Sequence, residues 1–431
     1  MGRKGRRGFV ARARLIAGIV ISTLMTTPVL ADELSELRQQ LAAQHKVMQA
    51  LESRMMELET KEKERAEQGV DFGYKAGTRK KGLAAEDVYD NGFFLRSKDG
   101  RYSINLNGFL QARYTLTAPN AGKSRNNFDV ALARLAFSGN VFDPKVKYFF
   151  QYEATTFGNS NTTSMLDWWM QYSHSQYLNV QAGRFILPYS RQFYTHPGNL
   201  LFPDLSVADY AFNLQRAVGA NISGKVGKLS YHGVVTNSIR ALDAGGQQNA
   251  GGEVAWQGRL EYDLLDAYGY LESSPTPALS PQLSIGVAAA FNPVDDPSGF
   301  QNVRRGDRTT NVTVDGGFRY LGFTAQAAGY FRRNNYEHLN EIGHDWGYYG
   351  QLGYYLTDKL ELAARVSGVD FQFANYVRTA GDVREYTAGL NYYLYGHNVK
   401  LQMDYSYLDG DPFLGRATSA DQVRVQTQIL F

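Results

Sequence analysis

The chain ends on Gln422-Val-Arg-Val-Gln-Thr-Gln-Ile-Leu-Phe431. Val423, Val425, Thr427, Ile429 and Phe431 alternate there with Gln422, Arg424, Gln426 and Gln428. A period of two sends successive side chains to opposite faces of a strand, so one face is apolar and the other wet. The same alternation recurs from about Gly92 onward. In Ser103–Leu116, Ile104, Leu106, Gly108, Leu110, Ala112, Tyr114 and Leu116 oppose Asn105, Asn107, Phe109, Gln111, Arg113 and Thr115. In Lys145–Thr155, Val146, Tyr148, Phe150, Tyr152 and Ala154 oppose Lys147, Phe149, Gln151, Glu153 and Thr155, and in Leu360–Gly368, Leu362, Ala364 and Val366 oppose Glu361, Ala363, Arg365 and Ser367. A soluble sandwich also alternates. Here, however, the apolar face is rich in aromatics near strand ends while the other keeps large charges mid-strand, which suits lipid outside and water inside a barrel.

Composition agrees. With 43 Gly, 29 Tyr and 24 Phe in 431 residues and a mean hydropathy of −0.38, the chain is too polar for a bundle of membrane helices but has the aromatics that girdle barrels. Outside the N-terminus no run of 18 apolar residues exists, so spanning helices are excluded. Cysteine is absent, which removes disulfides, thiolate nucleophiles and cysteine-ligated metals. The N-terminus carries Arg3, Lys4, Arg6, Arg7, Arg12 and Arg14, then an apolar run from Leu15 to Met25 and Val29-Leu-Ala31. This is the pattern of a secretory signal cleaved after Ala31; the apolar run is short for a membrane anchor. Removing six of 45 basic residues leaves 39 against 42 acidic ones, net −3, so the basic balance belongs to the signal and gives no support for nucleic-acid binding.

Between 32 and 68, Leu34, Leu41, Met48 and Met55 recur at a spacing of seven, as do Leu37, Gln44, Leu51 and Leu58. These are the a and d positions of a coiled-coil helix, which needs partner chains and therefore predicts a homo-oligomer. A lone surface helix is the simpler alternative. Residues 69–91 read as a flexible linker. Residues 92–431 read as an all-β, sixteen-stranded antiparallel transmembrane barrel. Short turns are expected near 142–144, 174–176, 225–228, 321–322, 357–359 and 396–398. Long loops are expected near 117–126, 156–164, 188–214, 239–252, 292–309, 333–344, 373–381 and 409–419, and 264–281 is a long connection where a short one is due.

A sixteen-stranded barrel is wide enough to hold an aqueous channel unless something fills it. The longest loop, about 188–214, carries Arg191, His196, Asp204 and Asp209 among Phe193, Tyr194, Phe202, Tyr210 and Phe212. So apolar a loop is expected to fold inward and narrow the pore, with a cap over the mouth as the alternative. Strand registers place Arg113, Arg134, Lys147, Arg259, Arg319, Arg365, Lys400 and Arg424 on the lumen face with Glu153, Asp167, Glu253, Glu261, Asp315, Glu361 and Asp404. Basic rings lower the barrier to anions, and arginine offers planar donors to phosphate. Yet residues 93–431 hold 21 Arg and 8 Lys against 29 acidic residues, so pairing across neighbouring strands is the first expectation for any one arginine.

Several segments now resemble one family, the phosphate-selective porins O and P of bacterial outer membranes. They are Gly92–Tyr114, Arg134-Leu-Ala-Phe-Ser-Gly139, Tyr148-Phe-Phe-Gln-Tyr-Glu153, Gln181-Ala-Gly-Arg-Phe-Ile-Leu-Pro-Tyr-Ser190, Arg216-Ala-Val-Gly219 and Tyr231–Asn237. The terminal Phe431 is similar to the end signature of such barrels. The resemblance implies a trimeric porin passing small hydrophilic solutes, anions such as phosphate among them, and marks Arg184 and Arg191 as constriction residues. Phosphate-selecting members use lysine-rich funnels; lysine is scarce here, so the resemblance carries fold and transport further than it carries the solute. No cofactor or metal is implied. An enzyme would need a nucleophile with a base or a metal set, and His45, His174, His196, His232, His338, His344 and His397 form neither. A barrel that mainly tethers the membrane to the cell wall through its helix is the other alternative.

Overall fold

The computed structural model describes residues 28–67, 69–75, 92–120, 122–157, 160–239, 253–293, 308–336, 340–372, 382–410 and 419–431. The expected signal lies almost wholly outside them. The chain divides into two compact units, 1–68 and 69–431. In the first, α1 (Pro28–Glu67) is one continuous helix that starts ahead of Ala31. Its seam residues, Leu34, Leu37, Leu41, Met48, Leu51, Met55 and Leu58, are all exposed.

The second unit is one antiparallel sheet. It opens with a hairpin, β1 (Val70–Lys75) on β2 (Gly92–Ser97), paired from Val70↔Ser97 to Lys75↔Gly92. This corrects the expected linker, whose first residues are strand; 76–91 lie outside the described residues. The barrel starts at β3 (Ser103–Pro119), not at Gly92, and runs through β4 (Arg125–Val141), β5 (Asp143–Phe157), β6 (Ser160–Ser175) and β7 (Leu178–Ile186). It continues with β8 (Arg216–Val226), β9 (Leu229–Thr236), β10 (Ala255–Asp263), β11 (Gln282–Asn292), β12 (Arg308–Tyr320) and β13 (Phe323–Tyr336). The last strands are β14 (Glu341–Tyr355), β15 (Leu360–Phe371), β16 (Val383–Tyr393), β17 (Val399–Gly410) and β18 (Ala420–Leu430). Each pairs with the next, and β18 closes on β3 from Ala420↔Pro119 to Leu430↔Phe109, so sixteen strands leave no open edge.

Closure is sealed at the chain end. Phe431 and Gly108 exchange two backbone hydrogen bonds of 3.0 Å. A Cβ on Gly108 would lie 2.2 Å from the Phe431 ring, so a larger residue there would push the aromatic aside. Where β18 stops, β2 takes over the edge of β3, with Phe93↔Leu106 to Arg96↔Ser103 in register.

The alternation places side chains as a barrel requires. On β15, Leu362 and Val366 are exposed while Glu361 and Arg365 are buried in the interior. Short turns fall at one end, as expected. Two long loops are shorter than expected, because β5 and β6 continue to Phe157 and Ser160 and β13 and β14 to Tyr336 and Glu341. At 17, 17, 15 and 16 residues, β3 to β6 outrun a bilayer-spanning strand of about ten.

Candidate functional site in the barrel lumen

Two segments enter the lumen from opposite ends. Residues 187–214, between β7 and β8, fold inward as expected, carrying α2 (Arg191–Tyr194), a 3-10 turn at Pro197–Asn199 and α3 (Val207–Phe212). Ser190 and Ser206 cap α2 and α3, accepting from Phe193 N and Asp209 N. Nearly every residue of this loop is buried. The connection 264–281 comes from the short-turn end, and its Tyr268, Glu272 and Ser273 are buried as well.

The two inserts meet. Glu272 accepts from Leu201 N at 2.7 Å and from Gln192 Nε2 at 3.0 Å. Arg191 donates to Gly269 O at 3.0 Å, and the Tyr194 and Tyr270 rings meet edge-on at 5.1 Å. His397, in the turn between β16 and β17, spans both inserts, its ring nitrogens 3.0 Å from Gly198 O and 3.0 Å from Ser273 O. Burial pushes the Asp209 carboxyl up to about 7, against hydrogen bonds from Ser190 and Tyr330 that lower it. Burial likewise raises Glu272, opposed by its bonds from Leu201 and Gln192.

The wall of β10–β18 holds these inserts, and it does so with the residues expected to face solute. Arg259 grips Asp315 at 2.7 Å and donates to Tyr189 O at 2.8 Å. Arg319 donates to Tyr268 O at 3.3 Å and lies 4.4 Å from the Tyr268 ring. Arg365 pairs with Glu385 at 2.9 Å, donates to Asp204 O at 3.0 Å and sits 4.4 Å over Phe202. Lys400 donates to Leu200 O at 2.8 Å. Arg424 bonds Asp404 at 2.5 Å and Asp204 at 3.4 Å. From β3, the strand next to β18, Arg113 reaches the same loop, through Pro203 O at 2.6 Å and Asp204 at 3.5 Å.

The two residues marked as constriction candidates have different surroundings. Arg191 is fully buried between Tyr268 and Tyr270, in ion pairs of 2.8 Å with both Glu261 and Asp315. Arg259 touches the same two carboxylates, so the four charges cancel. Arg184 lies opposite Trp168 in the ladder, just after Gly183 at φ +132, and donates to the carbonyls of Met165 and Leu166. Those carbonyls belong to a bulge in β6, so Arg184 stitches a strand irregularity. Among the remaining candidates Arg134 pairs with Glu153 at 2.5 Å.

Lys147 differs. It is exposed, and no ion pair or hydrogen bond of its ammonium is found among the described residues. It borders a cavity of about 290 Å³ against β3–β9, the half of the wall away from most of the insert contacts. Lining residues include Arg96, Asn105, Ser138, Gln171, Gln181, Asn221, Trp169 and His232, and no carboxylate. Sequence reasoning marked Lys147 but missed the amides, because a neutral side chain on a wet face carries no signal of its own. It also missed the role of 264–281, though the length of that turn and its Tyr268-Gly-Tyr270 were visible. Among the described residues no cluster of metal-ligating groups occurs.

Known proteins can now be set beside this geometry. The anion-selective porin from Comamonas acidovorans matches with a TM-score of 0.55 at 13% identity, over 77% of this chain and 100% of its own. OmpF of Salmonella typhi, solved with daunomycin, gives 0.56 at 16% identity over 77% and 98%. The outer membrane channel DcaP of Acinetobacter baumannii gives 0.53 at 13% identity over 78% and 99%. At such identities the likeness is one of fold. Among curated proteins no match is found. The sequence profile of the phosphate-selective porins O and P matches residues 104–430, the sixteen barrel strands but for Ser103, and the chain therefore belongs to that family of outer-membrane channels.

Proposed function

We propose that this porin passes small hydrophilic anions, phosphate among them, by diffusion along the β3–β9 side of its lumen. One observation carries the sign: the cavity there is bordered by Lys147 and Arg96 with no carboxylate in its lining, whereas most other lumen cations are neutralised by partners. An unpaired ammonium lowers the electrostatic barrier to an anion, and a site open to water binds weakly enough to release it. No bond is made or broken. The exposed heptad seam of α1 supports assembly into a homotrimer, the helix lying on the periplasmic side.

The test is the reversal potential of the purified protein in planar bilayers under a KCl gradient, with phosphate titrated as blocker. Anion-selective sign and phosphate block are expected, with Lys147→Glu moving the reversal potential towards cations. Cation preference in the native protein would retain the channel and end the anion reading. Absence of conductance would favour a barrel that serves as a tether.

A further inference from the structure

We infer that the cavity against β3–β9 is a binding subsite for a hydroxylated anion, the class of a sugar phosphate, and not for bare phosphate alone; the inference rests on the anion reading above. Cross-strand pairing sets its chemistry. Lys147 pairs with Gln171, Gln171 with Gln181, and Gln181 with Asn221. Four adjacent strands thus present an ammonium and three amides in one row, roughly 14 Å long at about 4.8 Å per strand.

The next row is of a different kind. Phe149 pairs with Trp169, Trp169 with Gly183 and Gly183 with Gly219. The two rings stack at 5.5 Å and 23°, and the glycines beside them add no side chain. An amide row bordered by an aromatic ledge offers hydrogen bonds along one edge of a ligand and an apolar plane beside it. That pairing fits a sugar ring, whose hydroxyls lie at its rim and whose C–H groups lie on its faces.

The amides also discriminate. Each carries an acceptor oxygen as well as donors. Inorganic phosphate near neutral pH keeps few protons to give those oxygens, whereas a sugar carries several hydroxyls that each donate and accept. Gln181 and Asn221 are 3% and 4% exposed, and Asn221 Nδ2 donates to Gln181 Oε1 at 3.1 Å. Asn221 Oδ1, Trp169 Nε1 and His232 Nδ1 are left as buried polar atoms without a hydrogen-bond partner among the described residues, and all three residues line this cavity. Buried polar atoms are nearly always satisfied, so three orphans around one cavity indicate a polar occupant. Lys147 then serves the phosphate and the amides serve the sugar.

The experiment is block of single-channel current in the intact protein by glucose 6-phosphate, inorganic phosphate and glucose. Glucose 6-phosphate should block at a concentration about tenfold below that for inorganic phosphate, the worth of one well-made hydrogen bond. Trp169→Leu should abolish that difference while leaving phosphate block in place, and Lys147→Gln should weaken block by both anions. Asn221→Leu, in the neighbouring row, gives the same reading should the tryptophan variant fail to assemble. Equal block by the two anions in the native protein would overturn the sugar subsite and leave the anion channel standing. Block by neither would remove both, and block by glucose as strong as by its phosphate would assign the site to neutral sugars and overturn the anionic class.

Discussion

An arginine on the wet face of a strand can meet solute or can fasten something that enters the lumen, and here fastening takes most of them. Arg259, Arg319 and Arg365 each bind a backbone carbonyl of an insert as well as a side-chain partner. The guanidinium suits this, since its fork satisfies several acceptors at once and its plane stacks on a ring. Arg191 is the extreme case, and Arg191→Met strands Glu261 and Asp315 with Arg259 alone. Breaking a buried ion pair from one side costs about 3–5 kcal/mol, so urea unfolding followed by gel mobility should show a large loss of stability. Reversal potential, by contrast, should respond to Lys147 and little to Arg191 in whatever fraction remains folded. Gly183 is a second sensitive position: at φ +132, with a Cβ placed 2.4 Å from Trp168 O, Gly183→Val should lower the yield of folded barrel.

At the scale of elements, the inserted loop is docked by contacts that depend on protons. Asp209, held near neutral pH by burial, binds a proton more readily in the docked loop than in a released one, where a carboxylate titrates near ~3.9. Docking stabilisation from this group is therefore complete below about pH 4 and is lost as pH rises through about 7. Open-channel current noise should accordingly grow between pH 6 and 8, roughly one unit either side of that value, and Asp209→Asn should flatten the dependence. The second insert makes its own prediction. Glu272→Ala removes the acceptor of Leu201 N and Gln192, so the junction of the inserts should loosen and mean conductance should rise. Alternation in the sequence told which face each residue takes, and the length and aromatic content of 188–214 told that it turns inward. It could not tell that Arg191 meets Asp315, 124 positions away, because a period of two fixes a face and not what crosses the lumen to meet it. Arg184 shows the other limit: period two puts it on the face of exposed Trp168 and Val218, but no pattern of hydrophobicity records that it docks on the carbonyls of a bulge.

For the whole molecule, the strand count, the placement of the short turns and closure through Phe431 were legible because each follows from local alternation and turn chemistry. The hairpin of β1 and β2 was not, since Val70–Lys75 and Gly92–Ser97 are short and gain their partners only once β3 exists. Assembly is the remaining question at this scale. Deleting 32–68 should weaken the oligomer seen on unheated gels while leaving the conductance of each barrel unchanged, because the sixteen strands and both inserts lie within 69–431. Loss of conductance with the helix would instead make α1 part of the pore.

The lumen wall is thus divided. Strands β10–β18 are bound to the inserts by contacts that tolerate little substitution, while β3–β9 line the remaining cavity with Ser138, Lys147, Gln171, Gln181 and Asn221. Such a division makes the barrel easy to diversify: a lineage can exchange one nutrient for another by drift along seven strands, without renegotiating the scaffold that keeps the pore in shape. The same asymmetry would let an engineer alter uptake from one side of the wall only.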